Sequence, residues 1–167
     1  MTRLTTILTL LAVLGGACVS LDEISPSDDL MARSAAHVTG VVDGDTIHVD
    51  LGGVDTTIRL IGIDTPEKDG PYTDLECYGE EATRFTEDLL EGEDVALEFD
   101  VEPTDRFDRT LAYVWVRGDL ANEEILRAGA GVLLAIPPNV TYVERLKDAQ
   151  RDARDAGRGL WGACPAG

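Results

Sequence analysis

The sequence has 167 residues, a length that fits one domain better than two. Hydrophobic residues make up 44% of the chain and charged residues 28%, a balance that allows a buried core and excludes disorder throughout. Asp and Glu total 32 against 14 Lys and Arg, and this formal net charge of -18 excludes nucleic-acid binding by bulk positive charge and adsorption to an anionic membrane.

The cations are almost all arginine, since Lys68 and Lys147 are the only lysines in the sequence. An acidic composition that is poor in lysine is typical of proteins that work at high salt, and it favours a halophilic origin. Ordinary acidic solubility is the alternative explanation of the same composition.

The first 18 residues have the pattern of a secretion signal. One cation, Arg3, precedes an apolar run over residues 7–13, and small residues follow at 15–17. The run is shorter than the ~20 apolar residues that span a bilayer. The segment LGGAC is also similar to a lipoprotein cleavage box, in which Cys18 would become the lipidated first residue. Simple cleavage is the alternative.

Residues 19–36 lack apolar periodicity and are rich in Ser, Asp and Ala, which predicts a flexible tether before a domain over residues 37–164. The protein is therefore expected to be extracellular or anchored to the cell surface, with membrane contact only through lipid on Cys18. If Cys18 is lipidated or removed, Cys77 and Cys164 remain as a candidate disulfide, which an oxidising exterior permits. Two unrelated free thiols are the alternative.

Within the domain, strand and helix patterns alternate. Period-two apolar patterns predict β segments over residues 37–51 (two arms around Asp43-Gly44-Asp45), 56–63, 95–99, 111–116 and 132–136. Helical spacing of apolar residues predicts helices over residues 78–90, 120–128 and 141–156. Roughly five strands and three helices indicate a β-rich α+β fold, a small antiparallel barrel of the OB type with helices packed on it.

The first motif with chemical potential is Asp43-Gly44-Asp45-Thr46. Two carboxylates that flank a glycine on a tight turn can point at one position, because glycine lets the backbone bend there. Hard cations such as Ca²⁺ take several oxygen ligands of this kind. A turn stabilised by its own Asp side chains is the alternative.

The second motif is IRLIGIDTPE, residues 58–67. Arg59 lies in an apolar strand, where an unpaired charge is costly, so it requires either an internal carboxylate or a substrate phosphate. Asp64 and Glu67 bracket Thr65-Pro66 at the end of this strand, a suitable place for oxygen ligands and a general base.

The third motif is TDRFDRTLAY, residues 104–113, which places Arg106 and Arg109 in a turn before a strand. Its alternative interpretation is solvated charge that pairs with the abundant acids.

Four motifs taken together resemble the staphylococcal-nuclease-like (thermonuclease) family over residues 37–161. In chain order they are DGDT, RLIGIDTPE, YGEEA and TDRFDRTLAYV. The resemblance implies an OB-fold barrel with three helices and a Ca²⁺-dependent phosphodiesterase that acts on DNA and RNA and leaves 3′-phosphate ends. We expect a monomer whose partner is the nucleic-acid substrate.

The resemblance also assigns roles residue by residue. Asp45, Asp64 and the carbonyl of Thr65 match the calcium ligands, and Asp43 lies in the outer shell. The residues that match the catalytic set are Arg59, Glu67 and Arg109. In this assignment the arginines bind phosphate oxygens through paired donors, and the glutamate positions or deprotonates the attacking water.

Two departures from the family pattern are present. Residues 132–137 (VLLAIP) contain no Tyr where strongly nucleotide-binding members have them, so the resemblance does not extend to base stacking or to the affinity that stacking supports. Asp108 replaces the usual Gly before Arg109 and adds a negative charge there. A catalytically inactive OB-fold nucleic-acid-binding module and an acidic calcium-binding lipoprotein remain as alternatives, although binding alone does not require the complete catalytic set.

Overall fold

The computed structural model describes residues 33–69 and 76–164. The predicted signal with Cys18, and residues 19–32 of the predicted tether, lie outside the described residues. The domain begins earlier than the expected residue 37, because the first strand starts at Ser34 and already buries Ala36. The last residues of the predicted tether therefore belong to the folded domain.

In chain order the strands of the described part are β1 (Ser34–Asp43), β2 (Thr46–Leu51), β3 (Val54–Leu60), β4 (Gly62–Asp64), β5 (Asp94–Glu98), β6 (Thr110–Val116), β7 (Asp119–Leu120) and β8 (Val132–Leu134). The helices are α1 (Gly79–Leu90), α2 (Ala121–Ala128), α3 (Val143–Asp155) and α4 (Leu160–Ala163). None of these helices has the length and apolar character needed to cross a membrane.

Five strands close into a barrel. Neighbouring strands pair in the order β3-β2-β1-β5-β6, and β6 then pairs with β3 to complete the ring. The predicted OB-type barrel with helices is confirmed. The expectation that it is antiparallel throughout is wrong at one pair, because β3 and β6 run parallel. A parallel pair requires a long crossover, which α1 and β5 provide, and local sequence patterns do not reveal which distant strands meet.

The barrel core follows from the alternation of side chains along each strand. Ile47, Ile58 and Leu97 point inward and are fully buried. Leu126 of α2 and Leu146 of α3 are also fully buried in the same core cluster. Each such aliphatic side chain contributes about 1.5–3 kcal/mol on burial, so the barrel forms a rigid base for the loops at its rim.

The predicted strand over residues 56–63 is divided in the structure at Ile61, and Gly62 begins the second part. This glycine has a φ of 81°, a left-handed backbone that favours glycine, and a Cβ there would lie 2.5 Å from Cδ1 of the buried Leu146. The Asn122 side chain holds the break, since it donates to the Ile61 carbonyl at 2.8 Å and accepts from the Val114 N–H at 2.9 Å. The chain then leaves the barrel, and β4 pairs with β8 in a separate two-stranded sheet.

Cys77 and Cys164 form a disulfide, as the sequence predicted, with their Cα atoms 5.9 Å apart. The bond joins the start of α1 to the end of α4 across 87 positions of sequence. Gly79, two residues after Cys77, packs so closely that a Cβ would lie 2.1 Å from the Glu67 carbonyl oxygen. The disulfide therefore lies beside the segment that carries Glu67, one of the predicted catalytic residues.

Candidate active site

The strand register brings the three charged motifs together. Thr46, which ends the DGDT turn, pairs with Arg59 across β2 and β3, and Arg59 pairs with Leu111 at the start of β6. As a result, one cleft of about 590 Å³ is lined by Arg59, Asp64 and Arg109. The segments that the sequence singled out are far apart in the chain and adjacent in the fold.

Arg59 is the centre of a network of internal acceptors. Its Nε pairs with Oδ1 of Asp45 at 2.9 Å, and its Nη2 pairs with Oδ1 of Asp64 at 3.0 Å. Its Nη1 donates to the carbonyls of Leu60 and Ile63, both at 2.8 Å. The side chain is only 12% exposed, so these contacts satisfy the buried charge that the sequence analysis identified. The anion it requires is an internal carboxylate in this structure.

Asp45 is buried beneath this network. Its Oδ2 accepts the Thr65 N–H at 3.0 Å, and its Oδ1 accepts the Thr46 hydroxyl at 3.1 Å. Burial raises the pKa of Asp45 to about 6, against the opposing effect of the Arg59 guanidinium, and the nearby Asp43 raises it further. Burial therefore removes water from the carboxylate, and the charge of Arg59 offsets only part of the energetic cost. A cation near Asp45 would reduce the remaining cost.

The DGDT turn is fixed by close packing. Gly44 lies against Thr65, and a Cβ at this position would come within 2.6 Å of Oγ1 of Thr65. Oγ1 of Thr86 donates to the Gly44 carbonyl at 2.7 Å, which ties the turn to α1. Asp43 accepts the Asp45 N–H at 3.1 Å, so its carboxylate does act as a turn cap. The turn thereby aims Asp45, rather than Asp43, into the network.

Glu67 is held by its backbone and leaves its side chain exposed. Its N–H donates to Oε2 of Glu76 at 3.1 Å, and its carbonyl accepts the Glu76 N–H at 2.9 Å. Partial burial raises the pKa of Glu67, and the neighbouring carboxylates of Asp43, Glu76 and Asp64 add to this. A carboxyl whose pKa is moved toward neutrality is better suited to accept a proton than an ordinary surface Glu.

Arg109 lies in the loop of residues 104–109, here called the arginine loop. Its Nε and Nη2 contact Oδ2 of Asp105 at 2.8 and 2.7 Å. Asp108 has a φ of 61°, which explains why a glycine is usual at this position and why Asp, which tolerates the left-handed region, can replace it. Asp105 therefore forms the ion pair with Arg109, although Asp108 is the acid adjacent to it in the chain.

Comparison with known proteins agrees with this geometry. The family model described as staphylococcal nuclease homologue matches residues 57–163. The thermonuclease of Staphylococcus hyicus is 41% identical over 124 residues, which cover 74% of this chain and 73% of that protein. The chain belongs to the staphylococcal nuclease family. The thermonuclease of Staphylococcus intermedius is 40% identical over 74% of each chain, and endonuclease YncB of Bacillus subtilis is 34% identical over 72% of this chain and 58% of that protein.

The donor set suits the calcium ion that the staphylococcal nuclease family implies. Asp45 and Asp64 offer carboxylate oxygens, and Thr65, the residue after β4, offers a backbone carbonyl. All of these are hard ligands. The buried Asp45 carboxylate, with its raised pKa, would gain from a cation nearby. Within residues 33–69 and 76–164 no group of three or more His, Cys, Asp or Glu side chains is arranged to hold a metal ion. Arg59 pairs with both Asp45 and Asp64 in this arrangement.

One wall of the cleft is apolar and comes from the segment after Val132, which contains no Tyr. Leu134 and Ile136 line it and are 39% and 62% exposed. Phe107, 63% exposed, lines the same cleft from the arginine loop. Phe107 is thus the aromatic side chain among the residues that line this cleft.

Two site residues were not predicted from the sequence, Asp105 and Glu76. Asp105 could have been found from its position four residues before Arg109, because an Asp in a turn caps the backbone N–H groups that follow. Glu76 is close to Glu67 only through the fold, and nothing local to the sequence signals that contact.

Proposed function

We propose that this protein is a nuclease that hydrolyses phosphodiester bonds of DNA, RNA or both with Ca²⁺ as cofactor and leaves 3′-phosphate ends. The observation that carries the proposal is the convergence of Arg59, Asp64 and Arg109 on one cleft, with Asp45 directly behind Arg59. Membership of the staphylococcal nuclease family supports it, since relatives named thermonuclease and endonuclease share up to 41% identity with the chain.

The two arginines have the role of binding the scissile phosphate. A guanidinium presents paired, planar donors that match two phosphate oxygens, which a lysine ammonium cannot do. Arg59 and Arg109 would stabilise the negative charge that grows on these oxygens as the bond breaks. Arg59 is already fixed by two backbone carbonyls, so it can exchange a carboxylate partner for phosphate without losing its position.

Asp45, Asp64 and the Thr65 carbonyl would hold Ca²⁺, with Asp43 outside them. When bound, the ion polarises the phosphate and favours formation of the nucleophile from water. Glu67 would orient the attacking water and accept its proton, a role that suits its exposed carboxylate and raised pKa. Cleavage of the bond to the 5′ oxygen then leaves the phosphate on the 3′ end.

We also propose that the protein works outside the cytoplasm, secreted or held at the cell surface by lipid on Cys18, and as a monomer. The Cys77–Cys164 disulfide supports this, because such bonds persist in oxidising compartments. Mass analysis of the protein from its native membrane and medium would show which form of Cys18 exists. An unprocessed, cytoplasmic chain would contradict the proposal.

The decisive experiment measures cleavage of fluorescent DNA and RNA by the wild-type protein with Ca²⁺ and with chelator, at low and high salt. We expect Ca²⁺-dependent cleavage, products with 3′-phosphate ends, and a loss of most activity in Glu67→Gln. The matched control is Glu81→Gln, on the exposed side of α1, which should keep full activity.

The alternatives give different results in the same assay. Binding of nucleic acid without cleavage at any salt would indicate an inactive binding module. Calcium binding with neither cleavage nor nucleic-acid binding would indicate an acidic calcium-binding lipoprotein. Near wild-type turnover in Glu67→Gln would show that the assigned mechanism is wrong even if the protein is a nuclease.

A further inference from the structure

The carboxylate of Asp105 makes two different sets of contacts with the arginine loop. Its Oδ1 accepts the backbone N–H groups of Phe107 at 2.8 Å and Arg109 at 3.0 Å. Its Oδ2 accepts Nε of Arg109 at 2.8 Å and lies 2.7 Å from Nη2. One oxygen therefore shapes the loop, and the other holds the guanidinium.

This contact determines which donors of Arg109 stay free. A guanidinium has five N–H groups in a rigid fork, and Asp105 occupies the edge formed by Nε and Nη2. No group within residues 33–69 and 76–164 accepts a hydrogen bond from Nη1 of Arg109. The end of the fork that includes Nη1 is thus available to an anion in the cleft that Arg109 lines.

The surroundings keep Asp105 charged and in place. Its side chain is 17% exposed, and burial alone would raise its pKa. Hydrogen bonds from the N–H groups of Arg109 and Phe107, together with the Arg109 guanidinium, outweigh burial and lower the pKa of Asp105. The Phe107 ring lies on Arg109 as well, with its centroid 5.5 Å from Cζ. Arg109 is therefore restrained by a carboxylate and by an aromatic ring.

We propose that Asp105 is a positioning residue that holds the Arg109 guanidinium with one end of its donor fork directed at the scissile phosphate, a role that rests on the proposed nuclease function. A long arginine side chain loses conformational freedom when it binds phosphate, and a fixed guanidinium has already lost it. Asp105 acts on the reaction through Arg109 and does not touch the substrate.

The test uses Asp105→Asn, which separates the two functions of the carboxylate. An Asn side chain can still accept the two backbone N–H groups through its oxygen, so the loop keeps its cap. Its amide nitrogen replaces Oδ2 and cannot accept a hydrogen bond, so the Nε–H and Nη2–H groups of Arg109 lose their acceptor. The matched control is Asp108→Asn, which removes the same charge from the same loop at a position whose left-handed backbone also suits Asn.

The first readout is the ¹⁵N signal of the Arg109 Nε–H group in metal-free protein without substrate, assigned by its loss in Arg109→Lys. We expect a shifted signal with slow hydrogen exchange in the wild type and in Asp108→Asn, and an unshifted, fast-exchanging signal in Asp105→Asn. An unchanged signal in Asp105→Asn would overturn the proposal. Because this readout requires no cleavage, it decides the point even if the protein is not a nuclease.

The second readout is steady-state cleavage with saturating Ca²⁺. Misplacing a group that binds the phosphate should lower kcat of Asp105→Asn by roughly 10- to 100-fold with little change in KM. In an Arg109→Lys background the same substitution should change kcat by less than about 2-fold, because its target is already absent. An equal loss in both backgrounds would show a merely structural role, and a wild-type kcat would show no role at all.

Discussion

Asp45 provides the sharpest test of the electrostatics of the site, because its pKa shift has the opposite sign to that of most protein carboxyls. Burial raises the pKa of Asp45 from 3.8 to about 6, so the folded protein binds this proton more tightly than the unfolded chain. The corresponding free energy is about 3 kcal/mol. It stabilises the fold below pH ~4 and is lost as the pH rises through about 6.

The perturbation is Asp45→Asn, which mimics the protonated carboxyl at every pH. In metal-free protein we expect the difference in unfolding free energy between wild type and variant to change by about 2 kcal/mol between pH 4 and 7, with the wild type losing stability as the pH rises. Urea unfolding with chelator, at one fixed high salt concentration, measures this difference. Asp55→Asn, on the exposed side of β3, is the matched control and should show no such trend.

A difference that does not vary with pH would refute the reasoning, and so would a wild type that gains stability relative to Asp45→Asn as the pH rises. In the second case the attraction of Arg59 would outweigh desolvation, and the buried carboxylate would have no need of a further cation. Added Ca²⁺ should stabilise the wild type at pH 7 by mass action and leave Asp45→Asn nearly unaffected.

Three further predictions concern the fold, the cleft and the surface. Replacement of Cys77 and Cys164 by Ala should lower the free energy of unfolding by roughly 3–5 kcal/mol in the chain-entropy model, measured by urea unfolding; a loss below about 1 kcal/mol would contradict it. Leu134→Tyr should add a stacking surface to the cleft and lower KM for a short single strand, since base stacking contributes about 1–3 kcal/mol per base; an unchanged KM would show that the base does not lie on this wall. The initial cleavage rate at fixed free Ca²⁺ should first rise and then fall between about 0.05 and 3 M monovalent salt; a maximum at the lowest salt, with the protein folded there, would refute the halophilic interpretation.

The barrel was predictable because its strands carry a strong period-two signal. Val38, Ile47, Val49 and Ile58 lie in segments predicted as strands, and all four are buried. Helix α1 was predicted with nearly its observed limits, since its apolar positions recur at helical spacing. Patterns of this kind depend only on neighbouring residues, so they can be read without knowledge of the fold.

Shorter and non-local features could not be predicted in the same way. Strand β7 has two residues and α4 has four, too few for any periodicity. The break after Leu60 is held by the Asn122 side chain, which is distant in the sequence, and the parallel pairing of β3 with β6 depends on the closure of the whole barrel. A continuous apolar segment therefore predicted one strand where the structure has two.

The same distinction applies to the candidate site. The requirement of Arg59 for an anion followed from its apolar neighbours, but the choice of Asp45 and Asp64 follows from the register of β2 with β3 and from the turn after Leu60. Asp105 and Asp108 both lie in the arginine loop, and only the general tendency of a turn Asp to cap the N–H groups that follow it favours Asp105 as the partner of Arg109. That preference arises from a turn whose two N–H groups point at Asp105.

A protein with a net charge of -18 can act on a polyanionic substrate because the repulsion and the attraction act over different distances. The acidic surface repels at long range, and the arginines attract at short range. At 1 M salt the Debye length is about 3 Å, so the field of the acidic surface no longer reaches an approaching strand. Direct contacts between a guanidinium and a phosphate leave no room for ions between the partners, and in a partly buried cleft they are screened much less. Salt should therefore remove the repulsion that opposes encounter before it weakens the phosphate contacts proposed for Arg59 and Arg109.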